Sequence, residues 1–255
     1  MIKKQTKKFA VLEVESDEAL ARRHLFESLT ALDYDEARAA SRNERKELGK
    51  EREGTLTYGE VPYYAMAVIL DKVLDLRAEL DPHHASYAPF REDVFIDLGS
   101  GAGRPCLAAA SLYKFKACIG IEILQSLHDK ALQAANEYKD LVLKGDNNDW
   151  VLSLGVTREV QTYNGSIFDL DQTYDWVSAR GIILANSTCF SKEMFAKIAD
   201  LAANTHQRNI IVTFSEGLDD HLSSKEQRFE LLATQRTRMS WGDVDVFYHR
   251  VKPTG

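Results

Sequence analysis

The chain has 255 residues, enough for one full hydrophobic core with an extension rather than two domains. Its 44% hydrophobic and 28% charged residues are ordinary for a globular protein, and no apolar run approaches the roughly 18 residues needed to span a bilayer. A formal net charge of −7 argues against nucleic-acid binding through an overall positive field. Cys106, Cys118 and Cys189 are odd in number and include no Cys-x-x-Cys pair, so neither a disulfide framework nor a zinc site is expected. The start, Met1 to Lys8, is basic, but no apolar secretory core follows. Glu13, Glu15, Asp17 and Glu18 come too early for a mitochondrial leader, so a nuclear or cytoplasmic location is expected.

Residues 1 to 54 read as a helical N-terminal extension, with helices predicted over Ser16–Leu29 and Tyr34–Lys50. The second is so polar that it either covers the body loosely or moves when alone. Gly54 ends it, and Tyr63–Leu80 gives an amphipathic helix carrying Met66, Ile69, Leu70, Val73 and Leu74 at helical spacing. Asp81–Pro89 is a loop, its two histidines expected to be solvated rather than metal-bound. From Asp93 strands and helices alternate, the mark of a doubly wound, mostly parallel sheet. Predicted strands fall at Val94–Ile96, Ala117–Ile121, Glu159–Tyr163, Gly181–Ala185 and Asn209–Phe214, with helices at Pro105–Leu112, Ile123–Lys144 and Ser191–Ala203. Phe229–Ala233 and Val244–Val251 would close the sheet as an antiparallel hairpin. The fold class is therefore α/β and Rossmann-like, with the body over residues 55 to 255.

The chemistry concentrates where the first strand turns. Val94-Phe-Ile-Asp-Leu-Gly-Ser-Gly-Ala-Gly-Arg104 is a buried strand, a glycine turn and a helix start, with Glu122 at the end of the next strand. Gly99, Gly101 and Gly103 let the backbone turn and approach a ligand. A nicotinamide or flavin site is the rival, but it needs G-x-G-x-x-G around a pyrophosphate. Here the spacing is G-x-G-x-G, and Asp97 stands two residues before the first glycine. S-adenosylmethionine has no phosphate, so an acid can serve its amino-acid end and Glu122 its ribose hydroxyls. A turn with a purely structural role is the third reading. Farther on, Ile182-Ile-Leu-Ala-Asn-Ser-Thr-Cys-Phe190 ends the fourth strand and places Asn186 by the switch point of the sheet. An asparagine can hold an amine without a counter-charge, which leaves a lysine free to lose its proton. Phe190 could wall such a channel, or Asn186 and Phe190 could be a turn residue and core packing.

Together these motifs resemble the disruptor-of-telomeric-silencing (Dot-type) histone-lysine methyltransferases. The resemblance rests on Thr57-Tyr-Gly-Glu60, Phe95–Gly103, Gly120-Ile-Glu122, Ala185–Phe190 and the closing Ser240-Trp241 with Asp245–His249. It implies that Thr57, Tyr58, Gly59 and Glu60 close over the methionine part of the donor. It also implies that Asn186 lines the lysine channel, with an aromatic from the last hairpin, Phe247 or Tyr248. The sequence departs from the family at Arg104, which replaces a glutamine, at Ser166-Ile167, which replaces an acid-aromatic pair, and at Ser187, which replaces a second asparagine.

The expected activity is transfer of a methyl group from S-adenosylmethionine to a protein lysine, with a histone or nucleosome as the partner the resemblance implies. Thr57, Tyr58, Glu60, Asp97, Gly99, Ser100, Gly101, Gly103, Glu122, Ile123, Ser166, Ile167 and Asn186 are expected around the donor. Asn186, Phe190, Tyr58 and Tyr248 are expected around the reacting amine, with no metal. Lys3, Lys4, Lys7 and Lys8, or Lys225, Arg228, Arg236 and Arg238, are candidate docking patches. The alternatives are a methyltransferase for another protein or a small amine, and a catalytically silent donor-binding adaptor.

Overall fold

In this computed structural model, residues 16–29, 33–50, 59–81, 90–144, 155–222 and 227–253 are described. Three helices come first: α1 (Asp17–Glu27), α2 (Tyr34–Glu47) and α3 (Tyr63–Leu80). There follow β1 (Val94–Leu98), α4 (Arg104–Leu112), β2 (Ala117–Glu122), α5 (Gln125–Lys144), β3 (Val160–Asn164) and β4 (Gly181–Ala185). A 3₁₀ turn (Ser187–Cys189), α6 (Lys192–Ala202), β5 (Ile210–Phe214), β6 (Phe229–Met239) and β7 (Gly242–Val251) complete the main elements.

The seven strands form one sheet in the order β3-β2-β1-β4-β5-β7-β6. The first five pair in parallel, while β7 runs antiparallel to both β5 and β6. Every residue of β1, β2, β4 and β5 is buried, which is why these strands read as continuous apolar runs. Alternate side chains serve two cores. Phe95, Ile182, Leu184 and Val212 meet α3, α4 and α5, whereas Ile96, Ile183 and Ile211 meet α6.

The N-terminal extension shares this core. Leu25, Phe26 and Leu29 pack with Met66, Ile69 and Leu70 of α3 and Leu107 of α4. Arg22 donates to the carbonyls of Ser111 and Leu112, at 3.1 and 2.9 Å, where a cation suits the carboxyl end of α4. The side chains of Ser16 and Asp33 start α1 and α2 by accepting the amides of Ala19 and Glu36, so Ser16 is a cap rather than a helical residue. Helix α2 docks through Ala37, which clusters with Ala102, Leu124 and Leu127.

The strand expected at Phe229–Ala233 runs on to Met239. Thr234 to Arg238 carry no apolar pattern because β6 is the sheet edge, and much of its outward face meets water. Its partner begins at Gly242, leaving Ser240-Trp241 as a two-residue turn.

Gly181 opens β4 at φ +151°, and a β-carbon there would lie 1.9 Å from the Val94 carbonyl oxygen. Its amide donates to Asn209 Oδ1 at 2.9 Å, so the strand cannot slide away without losing that bond. Gly181→Ala is expected to cost about 3 kcal/mol or more in a urea titration, by steric overlap and strain. A loss under about 1 kcal/mol would show that the strand entrance can relax.

Candidate active site

The carboxyl ends of β2, β1 and β4 lie side by side, and the strand order reverses between β1 and β4. Ligands in open α/β sheets sit beyond such a point. Asp97 is the fourth residue of β1, Glu122 is the last of β2, and Asn186 follows β4 directly. A cavity of about 600 Å³ opens there, lined among others by Asp97, Glu122, Asn186 and Phe190.

The glycine turn forms the floor. Gly99, Gly101 and Gly103 have φ of +84°, +56° and +84°, a left-handed path closed to most side chains. Glu122 ties this turn down: Oε2 accepts the Gly101 amide and Oε1 the Leu124 amide, both at 2.8 Å. Burial holds the Glu122 carboxyl above its ordinary range, although the backbone amides around it pull the other way. Asn164 supports it from β3, donating to the Glu122 carbonyl at 3.1 Å.

Asp97 is different. Its side chain is 1% exposed, and neither carboxylate oxygen has a hydrogen-bond partner among the described residues. Burial, and then the charge of Glu122, push its carboxyl up to about 8. A buried acid without a partner is costly unless a ligand supplies a donor or a positive charge. Ser100 Oγ, also in the cavity wall, likewise has no partner among the described residues.

This has a measurable sign. An unfolded carboxyl titrates near 3.9, so between roughly pH 4 and 8 the folded chain holds a proton that the unfolded chain has lost. The stability linked to Asp97 is therefore present at low pH and lost as pH rises through that window. Melting curves from pH 5 to 8 should show a decline in Tm that Asp97→Asn flattens. Equal slopes in both proteins would contradict this reading of Asp97.

On the β4 side, Ser187 holds the turn in place. Its hydroxyl donates to the Phe214 carbonyl at 2.7 Å and lies 3.0 Å from the Phe214 amide, bridging the diverging ends of β4 and β5. Asn186 is thereby set at the rim, with Oδ1 accepting from Thr188 Oγ1 at 3.2 Å. Phe190 Cζ would stand 3.6 Å from a β-carbon at Gly99, so its ring leans over the glycine turn.

The hairpin tip closes a third side. A β-carbon at Gly59 would be 3.2 Å from Trp241 Cε3, and Ser240 Oγ donates to the Glu60 carbonyl at 2.9 Å. Glu60 pairs with Arg104 at 3.0 Å, and Arg104 also lies over the Phe26 ring at 5.2 Å. The Gly59-Glu60 segment is thus pinned from both the hairpin and the first turn of α4.

Of the expected donor residues, Glu60, Asp97, Gly99, Ser100, Gly101, Glu122, Ile123, Ser166, Ile167 and Asn186 line this one cavity. Thr57 and Tyr58 lie outside the described residues. Gly103 is a correction: it is not in the lining, and its missing β-carbon makes room for Ala131 of α5, 3.2 Å away. Tyr248 is a second correction. It is fully buried, belongs to the core beneath α3 and bonds Gln235 Oε1 at 2.9 Å rather than lining the cavity. Phe247 lines it no more than Tyr248 does. The hairpin residue that reaches the cavity is Trp241, which belongs to the Ser240-Trp241 element of the resemblance but is not among the residues expected in the site. Tyr34 and Arg38 of α2, and Lys50 after it, also line the cavity, although nothing in the polar pattern of this segment marks them.

The family model described as "Histone methylation protein DOT1" matches residues 44–245. No curated protein sequence matches the chain significantly. Among solved structures, the magnesium protoporphyrin IX methyltransferase of Synechocystis with bound SAM is 13% identical, with a TM-score of 0.47 over 96% of this chain and 100% of that one. The M. jannaschii tRNA m1G37 methyltransferase is 15% identical, with a TM-score of 0.47 over 74% of this chain and 49% of that one. The B. subtilis m1A22 tRNA methyltransferase is 14% identical, with a TM-score of 0.44, and this chain spans 65% of its length.

Proposed function

The chain belongs to the DOT1 histone methylation family, and on that footing we propose that it is a protein-lysine N-methyltransferase, with a histone as the first substrate to test. The donor is S-adenosylmethionine, which supplies an electrophilic methyl group on a sulfonium. The observation that carries the reading is the buried Asp97 carboxylate, without a hydrogen-bond partner among the described residues, near Glu122 in a cavity that Asn186 and Phe190 also line. The donor set fits the ligand. Asp97 would take the ammonium, Glu122 the ribose hydroxyls, and Ile123 with Ile167 the adenine faces, while Gly59 and Glu60 close the methionine side.

Asn186 would receive the lysine amine as a neutral hydrogen-bonding group. A carboxylate in its place would hold the ammonium protonated and unreactive, because an opposite charge favours the charged form. Phe190, over the glycine turn, would exclude water and keep the amine in line. Acceleration then comes from alignment and desolvation, without a covalent protein intermediate. Glu60 is already engaged by Arg104, which keeps that carboxylate from competing for the amine.

One observation favours a protein other than a histone as a second reading. Arg236 and Arg238 are paired with Asp245 and Asp243, each at 3.0 Å, and Arg228 donates to the Ala203 carbonyl. Two of the four basic residues expected near the hairpin, Arg236 and Arg238, are therefore offset by carboxylates. Lys3, Lys4, Lys7, Lys8 and Lys225 lie outside the described residues. The test is transfer of radiolabelled methyl from S-adenosylmethionine to recombinant nucleosomes and, in parallel, to a nuclear and cytosolic protein extract. Label on a core histone supports the first reading, and label confined to another protein supports the second. Donor binding without label on any protein overturns both in favour of an adaptor.

A further inference from the structure

The donor cavity has a wall that the family match leaves out. The match begins at residue 44, yet Tyr34 and Arg38 of α2 line the cavity. Three contacts hold α2 there. Ala37 is fully buried against Ala102 of the glycine turn and against Leu124 and Leu127, beyond Glu122. Its small side chain lets the helix axis come close. One further turn along the same face, Ser41 is also fully buried. Glu44 completes the face: its carboxylate accepts the amides of Gln125 and Ser126 at 2.9 and 2.8 Å, capping the first turn of α5. Lys130 adds an ion pair to Glu36 at 2.9 Å.

Tyr34, Ala37, Arg38, Ser41 and Glu44 are spaced three and four apart, so docking through Ala37 and Glu44 fixes the direction of Tyr34 and Arg38. The anchor of that docking, Leu124, directly follows the segment Glu122-Ile123 that serves the ribose and adenine in the reading above. An aromatic ring and a guanidinium are both groups that stack on a flat purine.

We propose that α2 is part of the donor site: Tyr34 and Arg38 contact the adenosine portion of the donor and of its demethylated product, and Glu44 is the positioning residue that holds them there. This rests on the reading of the cavity as the donor pocket. The N-terminal extension then sets donor affinity in this chain, separately from substrate docking.

The test is isothermal titration of the full chain and its variants with S-adenosylhomocysteine and with 5′-methylthioadenosine, which shares the adenosine but lacks the amino-acid end. Tyr34→Ala and Glu44→Ala should each weaken both ligands by about ten-fold, and Glu44→Gln, which keeps one acceptor oxygen, should fall between. Melting of the ligand-free variants accompanies the titrations, so that a general loss of folding is recognised. Affinities within two-fold of wild type in Tyr34→Ala would overturn the proposal. So would a loss for S-adenosylhomocysteine alone, which would place the contact at the amino-acid end. Glu122→Ala separates the two layers. If it binds both ligands as wild type does, the donor reading fails. If it loses both while the α2 variants do not, only the role of α2 fails.

Discussion

Asn186→Ala is expected to keep donor affinity within about three-fold and to lower methyl transfer by roughly 100-fold or more. The expectation follows from where Asn186 stands. It follows β4 in the lining of the cavity, held by the Ser187 bridge to Phe214, and bonds no described group of the glycine turn proposed to seat the donor. Removing its amide leaves Asp97, Glu122 and the turn untouched but deprives the amine of its orienting partner. Single-turnover transfer with saturating donor, paired with equilibrium donor binding, separates the two effects. Asn186→Asp should also fail, because a carboxylate would keep the lysine charged.

Glu122→Ala should act at the other end, raising the donor Kd by roughly 100-fold. Two charge-assisted hydrogen bonds to ribose hydroxyls at about 1.5 kcal/mol each correspond to that factor. The variant also frees the Gly101 and Leu124 amides, so the glycine turn loses its tether. Glu122→Gln retains an acceptor and should lie between. Equal loss of donor binding in Asn186→Ala and Glu122→Ala would refute the division of roles.

The side of the cavity built by the glycine turn and Glu122 was legible because its constraints are local. A strand covered on both faces, a turn that only glycine can follow and an acid at the next strand end all leave marks within a few residues. Asp97 and Glu122 stand out this way and both line the cavity, although that Asp97 lacks a partner among the described residues became visible only in three dimensions. Gly103 carried the same mark for another reason, the approach of Ala131 from α5, which no local pattern distinguishes. The hairpin aromatic was misplaced by geometry. Alternation along β7 buries Val246 and Tyr248, and the aromatic that reaches the cavity is at the turn. Helix α2 was least legible. Its docking uses one alanine, one buried serine and one glutamate, and so small a contact face is lost among its charges.

The most direct test of the account is the chemical identity of the methylated product. Protein labelled by this chain with radioactive S-adenosylmethionine would be hydrolysed to amino acids and separated against methylated standards. The account predicts label in N-methyllysine, and its loss with Asn186→Ala while donor binding persists. Label in methylarginine, in a carboxyl ester or only in a small molecule would contradict the assignment of Asn186 as the seat of a lysine amine.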